Sequence, residues 1–395
     1  MEKIVLCEPL RTAVGGFGGT LKDLTSVQLG TAVVKEIINK SSIDPSVIDD
    51  CIFGSILPGS GPNPSRQIAI HAGMKIETPA ITINRMCGSG LQSVIFAAQA
   101  IKAEDCSCIL AGGTESMSQA PYYLDKARWG YRMGTPKNGF TDSMISDGLW
   151  DVFNDYHMGV TAENLAEKYS ISKHQQDEFA YSSQMKAKSA LENNSFESQI
   201  VPIEIPQRKG DPVVFDMDEH PRPDITLEQI SKLKPAFKKD GTVTAANSSG
   251  INDGAAAVIV VSETASKKLG LKPVAAIKSY ALTGVDPSIM GIGPVSAMQA
   301  ALDKAGLSLE DIDLVELNEA FAAQSLAVLS DFPVPDEKLN VNGGAIALGH
   351  PVGATGAILL VKLLHEMARR ESAMYGMVSL CIGGGMGIAM VVEKY

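Results

Sequence analysis

Cysteine is scarce in this chain: six residues in 395, at Cys7, Cys51, Cys87, Cys106, Cys108 and Cys381. They are too few and too irregularly spaced for a disulfide framework at this length, so they fit a reducing compartment. Cys106 and Cys108 alternate along a strand-like run, and no second Cys/His pair follows at zinc spacing, which argues against a metal site and for core or strand-face residues. Basic charge is also in deficit, with 34 Lys and Arg against 45 Asp and Glu and a formal net charge of -11. Such a balance argues against nucleic acid and anionic membranes as partners, but leaves room for a small anionic ligand on a local basic patch. No apolar run is long enough to span a bilayer, and Ile4-Val5-Leu6 already reads as a strand, so the expectation is a cytoplasmic protein without a presequence.

What is present is an alternation. Short β-rich runs (Ile4 to Cys7, Cys51 to Ile56, Ala80 to Ile83, Cys106 to Ala111) are separated by helical patterns, the rhythm of parallel βαβ units. Thr25-Ser26-Val27-Gln28 reads as a capping box opening a helix to about Lys40. From Thr114 to about Asn247, prolines, charges and short interrupted elements take over, with one clear helix starting at Ser172-Lys173-His174-Gln175. This stretch reads as an inserted subdomain. Gly254 to Ser262 resumes the core, and a second series begins near Pro273.

The second series repeats the first. Ile43 to Phe53 compares with Leu307 to Leu317, each a turn followed by a strand. Gly88-Ser89-Gly90 before an apolar helix compares with Gly353-Ala354-Thr355-Gly356, and Gly112-Gly113 with Gly383-Gly384. A duplicated α/β unit places equivalent loops face to face across a pseudo-twofold axis, so a shared site would lie between Cys87 and the stretch around His350.

Four stretches could carry chemistry. Asn84-Arg85-Met86-Cys87-Gly88-Ser89-Gly90 puts a cysteine at a strand-to-helix turn, where helix amides and dipole would stabilise a thiolate. The alternative is an inert buried thiol. Gly349-His350-Pro351 holds a histidine before a helix, suited to take a thiol proton or simply to bind its own loop. Ser379-Leu380-Cys381 ends a strand before Ile382-Gly383-Gly384-Gly385, as a second reactive thiol beside amides able to bind an oxyanion, or as core. Asn318, after Glu316-Leu317, could orient a water or serve as a helix N-cap.

Together, Asn84 to Gly90, Asn318 to Ala322, Gly349 to Gly356 and Cys381 to Gly387 closely resemble the motifs of the thiolase family. The likeness extends through Gly112 to Ser118, His157-Met158-Gly159 and Ala246 to Ala255, and so covers the whole chain. It implies the thiolase fold, an α/β duplicated five-layer αβαβα core with an inserted loop domain. Residues 1–120, completed by 251–272, would form the N-terminal half, 121–250 the loop domain for coenzyme A and tetramer contacts, and 273–395 the C-terminal half.

The resemblance implies Cys87 as the acyl-accepting nucleophile, His350 as its activator and Cys381 as acid and base at the α-carbon of acetyl-CoA. His350 with a water on Asn318 would form one oxyanion hole, and the amides of Cys87 and Gly383 the other. Cys87, at its helix start, is expected to have the lower pKa of the two thiols. Ser249, Ala245, His157 and Phe237 would line the pantetheine channel, and Arg222 would meet the adenosine end, with a solvated loop arginine as the equal alternative. Met158, with Leu149, Met290, Ala320 and Phe321, would narrow the acyl pocket as in short-chain members, core packing being the commoner fate of a methionine. The implied activity is an acetyl-CoA C-acetyltransferase, a reversible Claisen condensation of two acetyl-CoA to acetoacetyl-CoA and free CoA through an acetylated Cys87. A degradative 3-ketoacyl-CoA thiolase with a wider pocket is the first alternative, with a ketoacyl synthase and a non-catalytic lipid-binding relative behind it. No cofactor is expected beyond the coenzyme A of the substrate, and no metal. Residues 119–140, with Trp129, Tyr131 and Met133, resemble a tetramerisation loop, so the expectation is a homotetramer built as a dimer of dimers.

Overall fold

A computed structural model describes residues 2–131, 133, 139–207 and 209–395 of the chain. The N-terminal half contains β1 (Ile4–Thr12), α1 (Ser26–Ser41), β2 (Asp50–Gly54), α2 (Pro64–His71), β3 (Ala80–Ile83), α3 (Ser89–Lys102) and β4 (Cys108–Ser116). After an excursion that includes α4 (Gly159–Lys168) and α5 (Lys173–Glu192), the chain rejoins the sheet as β5 (Asn252–Ser262). The second half follows: β6 (Pro273–Gly284), α6 (Gly293–Ala305), β7 (Leu314–Leu317), α7 (Ala322–Asp331), α8 (Thr355–Arg369), β8 (Tyr375–Ile382) and β9 (Met386–Lys394). Both expected capping boxes form, Thr25 with Gln28 and Ser172 with Gln175.

The strands lie in the order β7-β8-β9-β6-β1-β5-β4-β2-β3. Each half has the same pairing: β4 with β2 and β8 with β7 are parallel, whereas β5 pairs antiparallel to β4 and β1 just as β9 pairs antiparallel to β8 and β6. The halves join where β1 meets β6 antiparallel, Val5 opposite Ala276. The parallel βαβ rhythm therefore holds for only part of each half. The reason is visible between β8 and β9, which a tight turn joins and so forces antiparallel. In the first half the same connection, from Ser116 to Asn252, carries the long excursion.

Asp49 and Asp313 fix the register of the repeat, since each accepts two amides at the start of the neighbouring strand, Ser107 and Cys108 in one half and Met374 and Tyr375 in the other. Cys108 thus corresponds to Tyr375, and Gly112-Gly113 lies within β4, not at the position of the Gly383-Gly384 turn. Strand alternation sorts the faces. Val5, Cys7, Cys108 and Leu110 pack outward with Leu29, Val33 and Ile37 of α1, while Ile4, Leu6 and Ile109 pack inward with Leu91, Val94 and Ile95 of α3 and Leu360 and Leu363 of α8. β8 and β9 do the same, facing α3 and α8 with Leu380 and Met390 and α6 with Met377 and Val391. The result is α1, half-sheet, α3 with α8, half-sheet, α6: five layers with two central helices buried on both sides.

Those central helices begin against each other. A Cβ on Gly90 would lie 2.8 Å from the Ala357 nitrogen, and one on Gly356 2.5 Å from the Leu91 nitrogen. Only glycine allows this reciprocal approach. It brings the loops before both helices to one place.

Candidate active site

Cys87 stands two residues before the first helical residue of α3, on an elbow held by local bonds. Ser89 Oγ accepts from the Arg85 amide (2.8 Å) and donates to the Met86 carbonyl (2.7 Å), while Asn84 Oδ1 accepts from the Met86 amide (2.9 Å). Met86 is forced to φ 46°, a left-handed conformation costing a non-glycine residue about 1 kcal/mol. Cys87 is only 6% exposed. Burial pushes its thiol up to about 11, and the amide of Gly383, directed at the sulfur, offsets this in part. The expected thiolate at the helix start is therefore not the resting form: desolvation outweighs the helix end.

His350 is gripped at three points. Its amide donates to Asn252 Oδ1 (2.9 Å), and Asn252 Nδ2 donates to the Gly15 carbonyl (3.0 Å). Its Nδ1 lies 2.6 Å from Thr355 Oγ1, whose own hydrogen goes to the Pro351 carbonyl (2.9 Å). The hydroxyl can then only accept from the imidazole, so Nδ1 carries the hydrogen and Nε2 the lone pair. Nε2 faces Asn318 Nδ2 at 3.5 Å. Burial depresses His350 to about 4, so the ring is neutral and basic at Nε2.

Asn318 is completely buried just after β7, its amide donating to the Ser379 carbonyl of β8 (2.9 Å). It is not a helix N-cap, because α7 begins at Ala322 behind Phe321. Its Oδ1 has no partner among the described residues, which suits it to hold a water or a substrate donor. Cys381, near the end of β8, is also completely buried. Burial raises its thiol above the ordinary range, Cys87 adds to that shift, and the rise exceeds that of Cys87.

The remaining residues divide into a pocket and a channel. Met158, Met290, Ala320 and Phe321 pack in one apolar cluster with Cys381, and Leu149 packs in the adjoining cluster with Cys87; Met86 touches both. A Cβ on Gly383 would lie 2.5 Å from the Met158 methyl, so Met158 sits against the turn that carries the Gly383 amide. His157 stacks on Phe237 (4.7 Å between rings), and Phe237 meets Phe321 edge-on (6.0 Å). The Ser249 amide donates to the Ala320 carbonyl (2.9 Å), tying its half-exposed loop to the pocket, while Ala245 is exposed. Arg222 is exposed and lines a separate cavity of about 460 Å³ with Pro223, Asp224, Ile225, Gln229 and Leu233, apart from the other expected channel residues. Asp218 and Glu219, its neighbours in sequence, are occupied elsewhere, by Arg11 and by the amides of Gly16 and Thr20.

Met86, Glu115, Asn252 and Thr355 also shape the site, without a role that the sequence motifs disclose. Glu115 had a signal, an acid within the buried run Cys108–Ser116, since a buried carboxylate demands a cage of donors. Among the described residues no group of three or more His, Cys, Asp or Glu side chains is placed to hold a metal.

The family model of the thiolase N-terminal domain matches residues 4–264, and that of the thiolase C-terminal domain residues 271–394. The chain is 54% identical over 395 residues to an acetyl-CoA acetyltransferase of Pseudomonas aeruginosa, with all of both chains covered. It is similar in structure to the Bacillus anthracis acetyl-CoA acetyltransferase (TM-score 0.97, 44% identity, 100% and 99% of the chains). It is also similar to human mitochondrial 3-ketoacyl-CoA thiolase in complex with CoA (TM-score 0.94, 44% identity, 100% and 98%).

Proposed function

The chain belongs to the thiolase family, and on that premise we propose that it is an acetyl-CoA acetyltransferase. Its acyl transfer would run through Cys87 and its carbon–carbon bond formation through Cys381. The observation that carries this reading is two buried thiols close enough to interact, in adjoining clusters that Met86 bridges, with the Gly383 amide on the Cys87 sulfur and a neutral histidine fixed by Thr355.

The proton account is simple when both partners rest neutral. His350 Nε2 takes the Cys87 proton as the sulfur attacks the thioester carbon of acetyl-CoA. The tetrahedral oxygen develops its charge at the amides of Cys87 and Gly383. Collapse forms acetyl-Cys87, and the departing CoA sulfur takes the Cys381 proton. The site then holds a Cys381 thiolate and a protonated His350, whose Nε2–H can donate to the next thioester oxygen beside a water held by Asn318. The Cys381 thiolate removes the α-proton of a second acetyl-CoA. The enolate attacks acetyl-Cys87, releasing acetoacetyl-CoA, and His350 returns its proton to Cys87. Protons balance over the cycle without any group beyond the coenzyme A that the substrates bring.

The test is incubation with labelled acetyl-CoA followed by peptide mapping. One acetyl group on Cys87 is expected; its absence would sink the mechanism. Since Thr355 sets the tautomer, Thr355→Val should cut turnover roughly 100-fold with little change in KM, and Thr355→Ser should restore most of it. Equal loss in both variants would contradict the tautomer role.

The degradative reading is separated by the pocket. Met158 fills space beside Cys381 and Gly383 that a longer acyl chain would need. Met158→Ala should raise kcat/KM for a six-carbon 3-ketoacyl-CoA by roughly 10-fold relative to acetoacetyl-CoA. A native enzyme that already prefers the long substrate would favour the degradative alternative.

We further place the enzyme in the cytoplasm as a homotetramer. All six cysteines are free, and among the described residues no helix is long and apolar enough to cross a membrane. Trp129, Met133 and Phe140 of the expected tetramer loop are exposed, while residues 132 and 134–138 of that loop lie outside the described residues. Sedimentation at micromolar concentration tests this, and a monomer would contradict it.

A further inference from the structure

Glu115 is 1% exposed and makes four hydrogen bonds, all as acceptor. Oε2 accepts from the amides of Ile56 (2.9 Å) and Gly353 (3.0 Å), and Oε1 from the Leu57 amide (3.2 Å) and the Ser55 hydroxyl (3.3 Å). Three of these partners are backbone N–H groups that can only donate, so the cage is built for a carboxylate. The two loops it joins are the one after β2 and the one that carries His350. Ile56 and Leu57 pack around Cys87 together with Val352, and Gly353 belongs to the loop that carries His350. The fit is close enough that a Cβ on Gly353 would lie 2.5 Å from Glu115 Oε2.

The repeat offers an internal control. With Cys108 equivalent to Tyr375, the counterpart of Glu115 in the second half is Ile382, an apolar residue packed in the core. The strand position therefore does not itself require an acid. The half that carries the nucleophile has one, and the other half does without.

We propose that Glu115 is a positioning residue for acyl transfer: its carboxylate clamps the His350 loop against the loop of Ser55, Ile56 and Leu57 that packs on Cys87. Beside burial, the Glu115 charge adds a smaller push that raises the Cys87 thiol. Burial lifts Glu115 itself to about 7, against the four donors that favour its ionised form.

The proposal rests on Cys87 and His350 forming the acyl-transfer pair, and alkylation reports on Cys87 without that pair. In Glu115→Gln, iodoacetamide alkylation of Cys87, followed by peptide mapping against pH, should show a midpoint no higher than wild type, since the charge that adds to burial is gone. Single-turnover acetylation by acetyl-CoA should meanwhile slow by roughly tenfold, because the His350 loop is no longer held in place. A folded Glu115→Gln with wild-type or faster acetylation would overturn the proposal. Should that variant fail to fold, Glu115→Asp decides: it keeps the charge and shortens the reach, so the midpoint should hold while acetylation slows, and wild-type acetylation would overturn the clamp. Alkylation needs no acetyl-CoA, so a wild-type enzyme that never acetylates Cys87 would refute the functional reading while leaving the charge effect measurable.

Discussion

Cys87→Ser is expected to lose labelling by acetyl-CoA entirely and to lower turnover by roughly 10⁴-fold or more, the scale seen when a covalent nucleophile is removed from a site whose groups act as a unit. The hydroxyl is nearly isosteric, so the elbow formed by Asn84, Met86 and Ser89 should survive and the folded enzyme should still bind substrate. What fails is acidity. The Cys87 thiol already stands at about 11 in its buried setting, and an alcohol in the same setting is far harder to deprotonate by a histidine held near 4. The same numbers predict the native enzyme's response to iodoacetamide. With a neutral thiol beside a neutral imidazole, alkylation of Cys87 should climb with pH towards about 11, with no plateau in the acid range. A plateau below pH 7 would reveal a resting thiolate–imidazolium pair and would return the helix end to first place over burial.

That balance of burial against dipole marks what sequence could and could not convey. The elbow, the capping boxes and the repeat were legible because each is local: a glycine-bracketed cysteine, Thr25 with Gln28, and two matching turn–strand runs. The sense of the strands was not, because β5 and β9 owe their antiparallel direction to what connects them to β4 and β8, a tight turn in one half and a long excursion in the other. The meeting of the two glycine-flanked loops was legible in the repeat, but not which of their residues correspond. Gly90 and Gly356 are the equivalent positions, which makes Gly353 the counterpart of Cys87 and places His350 three residues earlier in its loop. The tautomer of His350 and the unpaired Oδ1 of Asn318 could not be read at all, since both depend on groups brought together only by folding. Arg222 itself is exposed, while its neighbours Asp218 and Glu219 dock that segment on β1 and the loop after it.

Cys381→Ala is expected to separate the two half-reactions. The variant keeps Cys87, His350 and the Gly383 amide, so it should still acquire one acetyl group on Cys87, though more slowly, because the departing CoA sulfur loses its proton donor. Condensation should fall by roughly 10⁴-fold, the upper range for removing a positioned acid–base group. Exchange of the α-protons of acetyl-CoA with solvent deuterium should vanish with it, which isolates the carbon-acid step from the bond-forming one. The substitution exchanges one small buried side chain for another in the cluster with Met158, Met290 and Phe321, so stability should change little. Thermal unfolding within a few degrees of native would confirm that the loss is chemical. If Cys381→Ala failed to acetylate while Cys87→Ser still exchanged α-protons and condensed, the roles of the two thiols would be exchanged. Accumulation of a stable acetyl-Cys87 in Cys381→Ala would instead show that the deeper thiol, the more strongly raised of the two, is reserved for carbon.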